Sequence, residues 1–298
     1  MKPPSALATK GVEVEEWIDL HFFRPLGARI AGALYPTRVS PDLVTLWSLF
    51  LGLAAGHLFV YARPWLNALG FALFVVSDIF DSADGQLARL RGTSTRAGRI
   101  LDGLSDNARF INLYLHLLAR LIIAGWAWPA ALVLVAAAGI SHSFQSSAVD
   151  FIRHAFLYVG VGRGSELELP EDVSVTGSAV RRVEMGLFRA YVRRQARMFP
   201  ATVALLREMR RQGAPPTLRA AFRERQAPLL PACASLGQNI RFVLVGVPSV
   251  LGDPALFLWI TAVPLNTILI ALVLAHERRS AQVLEYLESE AHVRDKVG

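Results

Sequence analysis

A chain of 298 residues that is 53% hydrophobic and 18% charged, with a mean hydropathy of +0.38, is too apolar to be an ordinary soluble domain. The net charge of +7 is carried by arginine, with lysine only at Lys2, Lys10 and Lys296. Beside long apolar runs, that balance points to membrane-facing basic loops rather than nucleic acid, and the aromatic–basic interleaving of a single-strand binder is missing. A single cysteine, Cys233, excludes an intrachain disulfide and a cysteine metal cluster.

Residues 1 to about 10 read as unstructured. The stretch Met1 to Glu16 has no basic region followed by an apolar run, so no cleaved leader is expected. From Val12 to about Leu34, Trp17, Leu20, Phe22, Phe23, Leu26, Ile30 and Leu34 recur at helical spacing among Glu15, Glu16, Asp19, Arg24 and Arg29. This predicts an amphipathic helix lying at the membrane surface.

Ser40-Pro41 opens the first of six expected spans, each long enough for the ~20 residues a bilayer requires. They fall near 41–61, 65–88, 98–123, 129–157, 229–250 and 254–276. The expected fold is therefore all-α and polytopic, with an interfacial helix at 1–40, spans one to four at 41–157, an insertion at 158–228, and spans five and six with a tail at 229–298. The insertion begins with an acidic stretch, Glu166 to Asp172. It continues in helical runs carrying Arg181, Arg182, Arg189, Arg193, Arg194 and Arg197, is broken at Pro215-Pro216, and resumes over Arg219 to Arg225. Arg89, Arg91, Arg96 and Arg99 lie between the second and third spans, and Arg278 and Arg279 follow the sixth. The opposite loops hold only Arg63 and Asp253. With an even number of spans, both termini face the cytoplasm, in a plasma membrane such as the bacterial inner membrane.

Two carboxylate pairs mark the ends of the second and third spans. Asp81 and Asp84 are spaced i, i+3, and Asp102 and Asp106 are spaced i, i+4, so each pair shares a helix face on the cytoplasmic side. Four acids where hydrocarbon meets water are costly without a compensating cation, which points to a divalent metal. Gly85, Gly98 and Gly103 with the small Ala88 leave room for a bulky headgroup. Arg89, one turn beyond Gly85, offers a planar fork to a phosphate oxygen. Together these residues describe a pyrophosphate site whose hard oxygen ligands favour Mg²⁺ or Mn²⁺, as one or two ions.

The run from Asp81 to Asp106 resembles the signature of the CDP-alcohol phosphotransferases, D-x-x-D-G-x-x-A-R-x8-G-x3-D-x3-D. It is filled by Asp81, Asp84, Gly85, Ala88, Arg89, Gly98, Asp102 and Asp106. Pro41-Asp42-Leu-Val-Thr45 is similar to the family's Pro-Asn-x-x-Thr, with Asp42 replacing Asn. The resemblance implies attack of an alcohol on a CDP-linked substrate with release of CMP, phosphoryl transfer in which the protein positions groups and neutralises charge. It further implies that Asp81, Asp84 and Asp102 hold the metal, and that Asp106 is the general base or shares metal binding. Gly85, Ala88, Arg89 and Gly98 would line the nucleotide and phosphate pocket. The implied partners are a CDP-linked lipid, a polar alcohol, the bilayer and a second copy of the chain in a homodimer; no nucleic acid is expected.

The leading expectation is phosphatidyl transfer from CDP-diacylglycerol to a polar alcohol such as an inositol or glycerol phosphate. Three alternatives stand beside it: a CDP-aminoalcohol donor with diacylglycerol as acceptor, an intramembrane prenyltransferase, and a cation transporter. Asp150, Arg153 and Arg241 are the candidate acceptor-binding residues, and the other polar residues of the fourth span, including His142 and Gln145, either join that pocket or serve interhelical hydrogen bonding. Asp78 is either a metal-site neighbour or a helix–helix hydrogen bond. His57 and His116 read as packing residues, and Arg120 as reaching out to the far interface.

Overall fold

The computed structural model describes residues 11, 13–163 and 167–297; among these there are helices, turns and loops and no strand. The readings for residues 1–10 and Glu166 lie outside the described residues, as do the side chains of Arg96 and Arg99. The chain forms two compact units, Met1–His142 with Gln238–Val263, and Ser143–Gly237 with Pro264–Gly298.

In the first unit a π-helical turn, Asp19–Phe23, leads into α1 (Arg24–Leu34). This stretch buries Phe23 and Ala31 and exposes Trp17 and Phe22, the two-faced character expected of a surface helix. α2 (Pro41–Leu58) starts where the Ser40 hydroxyl accepts from the Leu43 amide and Pro41 supplies a pre-set φ. α3 (Pro64–Arg91) ends at Gly92, whose φ of 66° is the left-handed conformation that closes helices. α4 (Arg96–Ile123) then begins under a Thr95 cap on the Gly98 amide. Residues 92–95 alone separate α3 from α4, so the two run antiparallel. Asp84 lies seven residues before the end of α3 and Asp102 six residues after the start of α4. At about 1.5 Å per residue that places them at the same height.

α2, α3 and α4 approach closely on small residues. A Cβ on Gly56 would stand 2.4 Å from Asn112 Nδ2, and one on Gly52 only 2.3 Å from Arg109 Cδ. Above this seam is an apolar core in which Phe59, Phe74, Phe242 and Phe110 stack in succession, joined by Leu113, Leu117, Val245 and Phe257. Two arginines tie off the ends. Arg91 donates to the carbonyls of Leu34, Tyr35, Thr37 and Val39 beyond α1. Arg120 was expected at the far interface but is buried, 4% exposed, and donates to Phe59 O, Asn67 Oδ1 and Ser249 O. It serves backbone carbonyls left over at helix ends instead of reaching for water. His57 and His116 do pack together, with Nδ1 of the first 3.0 Å from Nε2 of the second.

α5 (Trp128–Ala155) continues as a π-helical turn, Phe156–Val161. The expected insertion contains α6 (Ala179–Met198), α7 (Pro200–Gln212) and α8 (Pro216–Gln226). After a 3₁₀ turn come α9 (Leu230–Ala234), α10 (Gln238–Val250), α11 (Pro254–Ala262) and α12 (Pro264–Val297). The second unit has its own core, with Phe151 stacked on Phe199. A half-buried Glu277 accepts from the Ala201 and Thr202 amides, capping the positive end of α7.

Among the described residues, five helical stretches are long and apolar enough to cross a membrane: Pro41–Leu58, Pro64–Arg91, Trp128–Val161, Pro216–Val250 and Pro254–Ser289. The chain is thus an all-α polytopic membrane protein, with five such stretches where six were expected. The difference is α4, which is helical as expected but carries Asp102, Asp106, Arg109 and Arg120 along its length. The last two expected spans also differ in detail. The helical run expected to begin at 229 begins at Pro216 and breaks at Ser235–Gly237. Pro264, which has no amide to donate, interrupts the sixth span, and α12 continues well past Arg279.

Candidate active site

The facing ends of α3 and α4 bring three aspartates into one group. Asp81, Asp84 and Asp102 each present a carboxylate oxygen, all within 4.8 Å of one another. Three hard oxygen donors at that spacing are within a side-chain adjustment of the ~2.1 Å bonds and multi-oxygen shell that Mg²⁺ takes, so the residues fit a divalent ion. Asp84 is the deepest, buried at 6% exposure, and Thr45 Oγ1 donates to its Oδ2 at 2.5 Å. The Pro41–Thr45 motif at the start of α2 therefore reaches the acidic group through its threonine. Its Asp42 Oδ1 lies 3.7 Å from where a side chain on Gly98 would begin.

Asp106 stands outside this group, and its Oδ1 accepts from Arg109 Nη2. The same nitrogen donates to Asp81 Oδ1 at 2.9 Å. Arg109 Nη1 donates to Ser77 Oγ at 2.8 Å and Ser48 Oγ at 3.1 Å. The two serines, in turn, each donate to the other's backbone carbonyl at 2.8 Å. The guanidinium is 1% exposed, whereas the side chains of Asp81 and Asp106 are 23% and 35% exposed. The acids therefore grade from a sealed floor at Asp84 to a rim at Asp106. Beneath them the buried Arg109 is hydrogen-bonded through both terminal nitrogens, while its Nε has no hydrogen-bond partner among the described residues, and the two carboxylates on Nη2 offset its charge at this depth.

Around this group the glycine-lined wall is in place. Arg89 folds back over Gly85, its Nη1 3.3 Å from where a Cβ would be, and Ala88 is half-buried one turn along. Gly98 lies at the first turn of α4, its amide bonded to Thr95 Oγ1. Asp78 is a helix–helix link, accepting from Gln238 Nε2 at 2.6 Å, and Asn239 Nδ2 donates to Glu16 and Asp19 of the N-terminal segment.

Of the acceptor candidates, Asp150 and Arg153 belong to the second unit and Arg241 to the first. Asp150 accepts from Tyr191 Oη at 2.7 Å and Gln195 Nε2 at 3.2 Å, and pairs with His154 at 3.3 Å. Arg241 is fully buried on α10, within electrostatic reach of Tyr114 and His142.

Residues 38–153 match the family model of the CDP-alcohol phosphatidyltransferases. Over this stretch the chain is similar to that family. Among its relatives is a CDP-diacylglycerol–glycerol-3-phosphate 3-phosphatidyltransferase of Cereibacter sphaeroides, 30% identical over 87 residues, 29% of this chain and 37% of that protein. An uncharacterized protein of Aquifex aeolicus is 40% identical over 68 residues, 23% of this chain and 33% of its own length. The chain thus spans about a third of the length of the curated relatives it matches. The matched phosphatidyltransferase region covers α2, α3, α4 and most of α5, so the signature aspartates and their Thr45 and Arg109 partners all lie inside it.

Sequence reasoning passed over Arg109, Ser48 and Ser77. A signal was present: an arginine three residues after Asp106, inside an apolar run, has to find an acid when the helix is buried.

Proposed function

We propose that this protein is a metal-dependent phosphatidyltransferase that moves the phosphatidyl group of CDP-diacylglycerol onto the hydroxyl of a polar alcohol and releases CMP. The observation that carries this reading is the convergence of Asp81, Asp84 and Asp102 on one point, with a fourth carboxylate, Asp106, set apart at the rim. Asp81, Asp84 and Asp102 would hold one or two Mg²⁺ or Mn²⁺ ions, which would screen the diphosphate and stabilise departing CMP. Arg89, folded over Gly85, is placed to take a phosphate oxygen bidentately. Gly85, Ala88 and Gly98 leave the wall open for the nucleotide. Asp106 takes the proton of the acceptor hydroxyl as its oxygen bonds to the lipid-bearing phosphorus. The phosphorus–oxygen bond to CMP breaks, and the negative charge leaves with CMP.

The glycerol-3-phosphate named for the Cereibacter relative supports a phosphorylated acceptor. Arg241, in the same compact unit as the aspartates, is the residue we assign to acceptor recognition. The arginine bias of the loops supports placing the acidic site and both termini on the cytoplasmic side of a bacterial inner membrane. The family resemblance carries the expectation of a homodimer, testable by native mass in detergent.

The test is CMP release by the purified protein in lipid nanodiscs, with CDP-diacylglycerol and with a CDP-aminoalcohol plus diacylglycerol as rival donors, each against a panel of alcohols. The proposal expects CMP only from CDP-diacylglycerol and only with divalent metal. CMP from the aminoalcohol donor alone would reverse the assignment of donor and acceptor.

A further inference from the structure

The arginine beneath the acids has a slot cut for it. Gly52 leaves the space for its stem, since a Cβ there would lie 2.3 Å from Arg109 Cδ and 2.6 Å from Cγ. Ser48 and Ser77, both buried, receive Nη1 and lock each other across α2 and α3. Three small residues on two helices therefore fix where one guanidinium nitrogen, Nη2, emerges. It emerges between two carboxylates assigned different tasks, Asp81 in the metal group and Asp106 outside it. Four carboxylates with nothing between them would compete for the same cation, because like charges close together penalise ionisation of the set and a metal would draw them all inward.

We infer that Arg109 is a positioning residue that divides the four aspartates into a three-carboxylate metal group and a separate base, by pinning Asp106 Oδ1 at the rim while opposing cation binding at Asp81. This rests on the catalytic reading above. Asp106 is thereby aimed with its other oxygen, Oδ2, toward the incoming hydroxyl. Arg109 itself touches neither substrate nor the reacting atoms; it acts through the two acids.

The experiment measures Mn²⁺ binding by electron paramagnetic resonance, in parallel with CMP-release kinetics, on the full chain in nanodiscs. Removing the charge in Arg109→Met should tighten Mn²⁺ binding at least about fivefold, because a positive charge in contact with Asp81 has gone. It should lower kcat at least about a hundredfold, the scale of a lost general base, with KM for CDP-diacylglycerol within about threefold of wild type. Arg109→Lys keeps the charge but not the fork. It should leave Mn²⁺ affinity within about twofold of wild type and recover kcat to at least about tenfold above Arg109→Met. Gly52→Ala displaces the stem with the charge still present, and should lower kcat without the gain in Mn²⁺ affinity.

A merely structural role predicts the opposite sign, weaker Mn²⁺ binding together with lost activity, and that result would overturn the inference. So would a wild-type kcat in Arg109→Met. Should Arg109→Met not be recovered as a monodisperse protein, Arg109→Lys decides: reduced kcat at unchanged Mn²⁺ affinity supports the assignment, and wild-type kcat refutes it. Failure of the wild-type protein to bind Mn²⁺ or release CMP would instead sink the catalytic reading, and so is distinguishable from failure of the arginine's role.

Discussion

At the scale of single residues, Asp106 and Thr45 show how much the chemistry depends on where a side chain is held. Asp106→Asn keeps the shape and one acceptor oxygen but cannot take a proton, so CMP release should fall by about 10²–10⁴-fold. Mn²⁺ binding by the Asp81, Asp84 and Asp102 group should survive. Equal loss of both would show that Asp106 belongs to the metal group. Thr45→Val removes the donor that holds buried Asp84 at 2.5 Å. Losing one partner of a buried carboxylate costs about 1–3 kcal/mol, which should appear as a lower melting temperature of the purified protein. An unchanged melting temperature would mean that Thr45 contributes no support to the site. The aspartates themselves were legible in the sequence because their i, i+3 and i, i+4 spacings sit on uninterrupted helices. The partners were not: Thr45 and Ser48 lie on α2, Ser77 on α3 and Arg109 on α4, and which serine meets which arginine depends on the register of three packed helices.

At the scale of elements, caps and breakers set the boundaries, and of those that follow the start at Ser40-Pro41 was read in advance. Ser40-Pro41 starts α2, Gly92 ends α3, and Asp253 caps α11 through its bond to the Leu256 amide. The third expected span, near 98–123, is the full-length helix α4, although it is not among the five stretches apolar enough to cross a membrane. Its described charged residues, Asp102, Asp106, Arg109 and Arg120, lie in the acidic group or find protein partners, and they make it too polar to count as a span when read as an isolated segment. The arginine-rich insertion was read as partly helical, and two of its arginines have specific tasks. Arg207 and Arg210 on α7 clamp Glu171 and Asp172 of the preceding loop through two bonds each. Those bonds hold both carboxyls below their ordinary range. A carboxylate with a depressed folded-state pKa stabilises the fold above its unfolded value and loses that contribution as the pH falls through the folded one. The clamp should therefore be intact at pH 7 and released only in acid, below the ordinary carboxylate range. Hydrogen exchange at the Leu169 and Asp172 amides, corrected for the intrinsic rate, should show protection at neutral pH that Arg210→Ala removes. Protection unchanged by that substitution would mean the loop is held by other contacts.

At the scale of the whole molecule, the chain pairs a family region, residues 38–153, with a second half that the family match does not reach. The fold class was legible because apolar runs of membrane length are a coarse signal that survives errors of several residues at each end. The division into two compact units was not legible, since it depends on which helices pack together. Sidedness belongs to this scale. Single cysteines placed in the 92–95 loop and in the 125–127 turn, in a background with the buried Cys233 replaced, should label from opposite sides of the membrane, the former from the cytoplasm. Labelling of both from one side would break the topology.

The central claim is that a carboxylate-held divalent cation at the junction of α3 and α4 lets an alcohol displace CMP from a lipid-linked diphosphate. Its most direct test is CMP release from CDP-diacylglycerol by the purified protein in nanodiscs, before and after stripping divalent metal with a chelator and again after adding back Mg²⁺ or Mn²⁺. The account predicts release that stops on stripping, returns on readdition, and is lost in Asp81→Asn under every condition. Release that persists at full rate in the stripped protein, or in Asp81→Asn, would contradict it.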